Sequence, residues 1–423
     1  MSRPPGQART TKRHRLLHVT TTDISLALLL GPQLKAFLQS GYEVIGTSAP
    51  GPFVEQLEAD GIRHVPLSHS TRSFAPLHDA LAGPEFYRLL RDLRPDIVHT
   101  HNPKPGIYGR IAARAAGVPV VVNTVHGLYA TSDDSLRKRA VVYGLERIAA
   151  CFSDAELVQN PEDIETLAAL RIPRERLRLL GNGIDLDRFS PAAKNDARRR
   201  IRAEIGARDD NVVVGAIGRL VWEKGYGELF AAAAELREQF PNVMILVAGP
   251  AEPTKSDGID AASIARAEGV GVRFLGYRSD VEDIYAALDV YVLASHREGF
   301  PRSAMEAAAM SLPIVATNIR GCRQVVNDGV TGLLVEPHDA RALAGAIGRL
   351  ASDLQLRKSM ARAARAKALL DFDQRRVIDI TLKLYAELLK KKDRSLVRDP
   401  STSIRPHPEC LGGGVPSGEP PGT

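Results

Sequence analysis

Aromatic side chains are scarce, at 5% of a 423-residue chain, which leaves few platforms on which nucleic-acid bases could stack. With no recognition helix, zinc finger or RNA-binding signature to offset that, no nucleic-acid partner is expected. Cysteine is nearly absent. Cys151, Cys322 and Cys410 are odd in number, far apart and never in a metal-like pair, so they read as reduced thiols of a cytoplasmic protein and offer no metal site. Long apolar runs are missing too: the stretch 24–30 is too short to span a bilayer, follows Asp23 and lacks the flanks of a cleaved signal. Neither charge dominates. The 56 Lys plus Arg against 50 Asp plus Glu leave a formal +6, a mild excess that suits phosphate-bearing substrates or an anionic membrane surface.

What is present is an ordinary globular composition, 44% hydrophobic and 25% charged. The length exceeds what one core accommodates, so two domains are expected. Residues 1–15 carry Arg3, Arg9, Lys12, Arg13 and Arg15 among Pro, Gly and Thr and read as a flexible basic arm. From residue 16, short apolar runs at 16–20, 43–47, 96–101, 119–125 and 155–159 alternate with helical patterns such as 106–116 and 136–149. That rhythm is the mark of βαβ units, a parallel sheet with helices on both faces. The turn-rich segment 179–191 before a charged stretch sets a domain border near 190. A second series at 212–218, 243–249, 272–276, 290–294, 313–317 and 332–336 repeats the rhythm. The expectation is an α/β chain of two doubly wound, Rossmann-like domains facing a cleft, 16–190 and 191–371. A helix at 372–394 would follow, with a disordered tail at 395–423.

Open α/β sheets bind ligands at the carboxyl ends of their strands, and four such places carry chemistry. In Gly218-Arg219-Leu220-Val221-Trp222-Glu223-Lys224-Gly225, two cations flank a helix start. Fork, point charge and helix N-terminus together suit a diphosphate, although either cation alone reads as a solvated surface charge. In Glu298-Gly299-Phe300-Pro301-Arg302-Ser303-Ala304-Met305-Glu306, seven residues separate two glutamates across a Gly-Phe-Pro turn. One carboxylate would sit in the loop and one in the next helix, suited to sugar and ribose hydroxyls. His126 ends a buried strand, where it could hold a sugar hydroxyl or be structural. His101 and Lys104 end another and are candidates for the acceptor, with a structural reading equally open. Tyr277 and Arg278 are candidates for a base pocket. Asp185-Leu186-Asp187 imitates a metal-binding pair, yet it stands in a border segment without a phosphate loop, so no metal and no cofactor are expected. Gly181-Asn182-Gly183 lacks the third glycine of a dinucleotide fingerprint. The segment 136–149, with Arg137, Lys138, Arg139 and Arg147 around Val141, Val142, Leu145 and Ile148, is either a membrane-surface helix or a core-facing one with a basic edge.

Together these motifs resemble glycosyltransferase family 4, of GT-B fold, over residues 16–392, and the likeness at 98–127 is to its capsular and exopolysaccharide branch. The resemblance implies a retaining transfer from a nucleotide diphosphate sugar, a UDP-sugar by expectation, to a glycan or polyprenyl-diphosphate-linked acceptor. It assigns donor sugar contacts to Glu298, ribose contacts to Glu306, the diphosphate to Arg219 and Lys224, and a place near the transferred sugar to His126. Many members carry a glycine pair after the first strand, where this chain has Thr20-Thr21-Thr22-Asp23; Thr21 and Thr22 stand as acceptor-side candidates. A nucleotide-sugar 2-epimerase of the same architecture, or a noncatalytic nucleotide-sugar-binding protein, is the rival reading.

Overall fold

The computed structural model describes residues 13–71, 75–101, 103–130, 134–192, 194–252 and 255–398. The basic arm up to residue 12 and the tail after 398 lie outside them. The chain forms two compact units, one built from residues up to Leu180 together with those from Ile378 onward, the other Gly181–Val377.

The first unit holds a parallel sheet of β1 (Arg15–Thr22), β2 (Glu43–Ala49), β3 (Arg63–Pro66), β4 (Ile97–His101), β5 (Val120–Val125), β6 (Ala155–Val158) and β7 (Leu177–Leu179), in the order β3-β2-β1-β4-β5-β6-β7. All residues of β4, β5 and β6 are buried, as strands covered by helices on both faces must be, which explains their unbroken apolar runs. Two helices of this unit start where a side chain satisfies an open backbone N–H. Ser135 accepts from Lys138 N at the head of the helix Leu136–Ala150, and Asn160 from Glu162 N at the head of Pro161–Ala169.

The second unit repeats the plan with β8 (Val212–Ile217), β9 (Val243–Ala248), β10 (Val272–Phe274), β11 (Val290–Leu293), β12 (Ile314–Thr317) and β13 (Gly332–Val335), ordered β10-β9-β8-β11-β12-β13. In both sheets the order reverses beside the first strand, between β1 and β4 and between β8 and β11. Ligand crevices open at such reversals.

The border falls before Gly181, ten residues ahead of the expected one. Ile184, Leu186 and Phe189 are buried in the core of the second unit with Phe372, and Ile184 exchanges backbone hydrogen bonds with Phe372 and Gln374. The charged stretch after the border segment is the helix Asn195–Glu204, pinned by Lys194 to Asp283 and by Arg198 and Arg202 to Asp289. The last helix, Gln374–Arg398, runs past the expected end at 394.

Candidate active site

In the second unit, Gly218 and Arg219 follow β8, the turn Trp222–Lys224 comes next, and Gly225 at φ +70° opens the helix Tyr226–Gln239. A Cβ on Gly225 would lie 1.9 Å from the Ala294 carbonyl oxygen. The glycine is therefore what lets this loop press against the end of β11. The Tyr226 hydroxyl donates to the Gly218 carbonyl at 3.1 Å and fixes the other side of the loop. Held this way, Lys224 Nζ donates to Glu298 Oε1 at 2.5 Å, and Ser295 Oγ donates to the same oxygen at 2.8 Å. Both partners are largely enclosed, at 24% and 12% side-chain exposure. Arg219, 41% exposed, leans instead toward Glu252 at 3.8 Å.

Pro301 caps the helix Arg302–Ala309, whose fifth residue is Glu306. The Gly299-Phe300 turn is held by Asn182 Nδ2 donating to the Phe300 carbonyl at 3.2 Å, and the Phe300 ring meets the edge of Phe372. The Tyr285 hydroxyl lies 3.1 Å from Glu306 Oε2 and 3.0 Å from the Ser303 carbonyl. Burial raises the Glu306 carboxyl above its usual range, against the pull of Arg302, Tyr285 and Arg188. The buried Tyr291 hydroxyl donates to the Ile217 carbonyl at 3.4 Å and stands within the fields of both Glu298 and Glu306; its own burial, first of all, pushes its phenol well up. One end of this sheet thus gathers Lys224, Glu298 and Glu306. Arg219 shares their loop without pairing to either glutamate in the contacts described.

The base-pocket candidates fare differently. Tyr277 is exposed at 69%, but Arg278 closes an ion-pair cluster, 2.8 Å from Asp280 and 2.5 Å from Glu204. Those two hydrogen bonds raise its pKa further. The guanidinium is thus matched by two carboxylates, and Tyr277 and Arg278 remain candidates for a base pocket.

In the first unit, His126 follows β5 and is the partly exposed end of a chain of rings. His126 Nε2 meets His101 Nδ1 at 2.9 Å, and His101 Nε2 meets His18 Nδ1 at 3.0 Å. His18 Nε2 lies 3.5 Å from the Tyr385 hydroxyl, which touches His99 Nδ1 at 2.5 Å, and His99 Nε2 reaches Thr124 Oγ1 at 2.7 Å. Burial depresses all four imidazoles, His18 to about 3 and His126 to about 4, with His99 and His101 also well below their usual value. His126 is therefore a neutral hydrogen-bonding group at neutral pH, not a cation. His101 is 4% exposed and both its ring nitrogens are engaged. Lys104 opens the helix Lys104–Ala115 and donates to Asp79 at 2.5 Å and Thr71 at 3.3 Å. Thr21 and Thr22 end β1 half-buried: the Thr21 carbonyl accepts from Ser70 Oγ at 3.1 Å, and Thr22 Oγ1 lies 3.3 Å from Ser25 Oγ.

Sequence reading passed over Ser295 and Tyr285, which hydrogen-bond the two glutamates, and over His18, His99 and Tyr385. Alternation was a usable signal for the histidines, because His99 and His101 two apart on a strand share a face, and His18 is in register with His99. No local signal marks Tyr385, which reaches its partner from 286 residues away. Asp185 has a local role, its carboxylate accepting from the backbone of Asp187 and Arg188 at 3.0 Å each.

Comparison with known proteins agrees with this layout. Residues 33–188 match the model of glycosyltransferase family 4 and residues 197–367 that of the group 1 glycosyl transferases. The chain is 30% identical over 347 residues to the UDP-Gal:α-D-GlcNAc-diphosphoundecaprenol α-1,3-galactosyltransferase of Escherichia coli, covering 81% of this chain and 88% of that one. It is 26% identical to the capsular polysaccharide glycosyltransferase CapM of Staphylococcus aureus, over 90% and 99% of the two chains. Anabaena HepE, crystallised with UDP, shares the fold at a TM-score of 0.74 and 22% identity, over 88% of this chain and all of that one. The chain belongs to glycosyltransferase family 4 and has its two-domain GT-B fold.

Proposed function

We propose that this enzyme moves a hexose from a UDP-sugar to a hydroxyl of a lipid-linked glycan in polysaccharide assembly, with retention at the anomeric carbon and no divalent ion at the diphosphate. The observation that carries this reading is the Lys224–Glu298 pair at the β8/β11 reversal, 2.5 Å apart and backed by Ser295. An arriving diphosphate would draw Lys224 onto its oxygens and free Glu298 to accept from sugar hydroxyls. Arg219 and the N-terminus of the helix Tyr226–Gln239 add positive potential at the same place. Glu306, beside Tyr285, would take the ribose. The E. coli relative, named for a UDP-sugar donor and an undecaprenol diphosphate acceptor, lends the substrate class.

In the reaction proposed, the acceptor oxygen bonds to the anomeric carbon on the face the diphosphate leaves. The carbon–oxygen bond to UDP breaks with both electrons on the phosphate oxygen, and the acceptor proton passes to the departing diphosphate. Lys224 and Arg219 stabilise the charge left there. Neutral His126 holds a sugar hydroxyl, with Thr21, Thr22 and Lys104 on the acceptor side.

The acceptor's lipid gives a reason for contact with the membrane surface, and the helix Leu136–Ala150 supports it. Leu136, Val141, Leu145 and Ile148 are exposed, while Glu146, Ala149 and Ala150 face inward. The same helix packs on the core of the first unit through Ala150 and Tyr143, so its basic, apolar edge is what a membrane surface would meet.

A thermal-shift screen against UDP-, GDP- and ADP-sugars, followed by NMR of the product formed in EDTA, tests the proposal. Stabilisation by a UDP-sugar and an α-linked product from an α-linked donor are expected. Inverted product, or sugar interconversion without acceptor, would overturn it.

A further inference from the structure

Beside the donor-site loop, three side chains from distant segments meet. Glu228 stands in the first turn of the helix Tyr226–Gln239, His296 three residues beyond β11, and His338 three residues beyond β13. His296 Nε2 is 2.9 Å and His338 Nδ1 3.2 Å from the same oxygen, Glu228 Oε1. The two imidazoles lie with centroids 4.0 Å apart.

Two features separate this group from an ordinary surface ion pair. His338 sits at φ +63°, a region that costs a side chain free energy and that glycine adopts freely. The fold accepts that strain and thereby brings a second imidazole to a carboxylate that already has one. The distances suit coordination: ligands about 2.0–2.2 Å from a zinc-class ion, at tetrahedral or octahedral angles, stand roughly 3.0–3.4 Å from each other. Here two of the three separations are 2.9 and 3.2 Å, and all three ligand atoms lie within 4.8 Å of one another.

We propose that Glu228, His296 and His338 form a binding site for one divalent transition-metal ion of the zinc class. Two imidazoles and a carboxylate favour Zn2+, Ni2+ or Co2+ over Mg2+ and Mn2+, which prefer all-oxygen sets. The partly exposed position leaves room for water to complete the shell. His296 is two residues from Glu298, and its backbone N–H donates to the Glu223 carbonyl at 2.9 Å. A bound ion therefore ties together the Lys224 loop, the Glu298 loop and the entry to the helix Ala340–Ser352. The ion acts on the wall of the site and takes no part in the transfer. The proposal does not depend on the function assigned above, because metal binding is measured without donor or acceptor.

The test titrates the full, untagged, chelator-stripped chain with Zn2+ and Co2+, with Mg2+ as control, by calorimetry and melting temperature. The variants are His338→Gly and Glu228→Gln. Glycine relieves the strained backbone, so His338→Gly should fold at least as stably as the parent without metal. One Zn2+ per chain is expected, with a melting temperature that rises with zinc and an affinity at least about tenfold weaker in both variants. Absence of uptake by the parent at about 100 µM Zn2+, or equal binding by parent and variants, would overturn the site.

Discussion

At the scale of single residues, Lys224 and Arg219 share a proposed role but differ in how they are held. Removing a donor to developing diphosphate charge costs about 3 kcal/mol, or about a hundredfold in kcat, so Lys224→Ala and Arg219→Ala should each lose most turnover. Their stabilities should diverge. Lys224→Ala leaves Glu298, 12% exposed, with Ser295 as its remaining side-chain partner, at a cost of about 1–3 kcal/mol. Arg219 is 41% exposed and 3.8 Å from its partner, a contact contributing at most about 0.5 kcal/mol. Turnover assays and melting curves check both, and near-parental kcat in either variant would remove that residue from the mechanism. Lys224 and Glu298 could be singled out in sequence because each follows a strand end and adjoins a turn-forming Gly, and Glu306 because it stands five residues after Pro301 at the head of the next helix. Arg278 and His101 show what such a placement leaves open. A strand end places a side chain near a crevice but does not say whether other groups have already taken its hydrogen bonds.

At the scale of elements, most strands were legible because parallel strands buried on both faces leave uninterrupted Val, Ile and Leu runs. Two were not: β3 and β7, only four and three residues long, with Arg63 and Arg178 in them. The helix Leu136–Ala150 shows what sequence could not choose between. Arg110, fully buried, donates to Glu146 at 2.7 Å and to Glu156 at 2.8 Å, so this ion-paired node fixes Glu146 inward and turns the apolar, basic face to solvent. Two predictions belong here. Replacing Arg137, Lys138 and Arg139 by Glu should abolish sedimentation with anionic liposomes while leaving the helix folded, each lost cation being worth about 1 kcal/mol at such a surface; unchanged sedimentation would reject the membrane face. Arg110→Met leaves two buried carboxylates without their cation and should destabilise by about 3–5 kcal/mol, read by chemical denaturation; a loss under about 1 kcal/mol would mean the node carries little of the fold.

At the scale of the whole molecule, the buried histidines set how the protein meets acid. In the unfolded chain each imidazole takes a proton near pH 6.5. The folded chain refuses it until about pH 3 at His18 and about pH 4 at His126, and His99 and His101 lie well below 6.5. Below pH 6.5 the unfolded state therefore binds more protons than the folded one, and stability falls with pH, by up to about 1.4 kcal/mol per histidine per pH unit. Glu146 and Glu306 act in the opposite sense. Burial raises both, so the folded state gains protons first as acid is added, but these two groups oppose the four rings and His64, whose imidazole burial also lowers. Carboxylates held below their usual range, such as Asp79 and Glu85, weaken the fold only under more acid conditions. The melting temperature should consequently be level from about pH 8 to 6.5 and fall steeply toward about pH 5, well before ordinary carboxylates titrate. In His99→Gln, which removes one of the titrating rings, the slope in that window should be shallower, even though losing its bonds to Tyr385 and Thr124 lowers the plateau. A parental curve that stays level down to about pH 5 would mean that these rings are protonated, or open to water, in the folded protein.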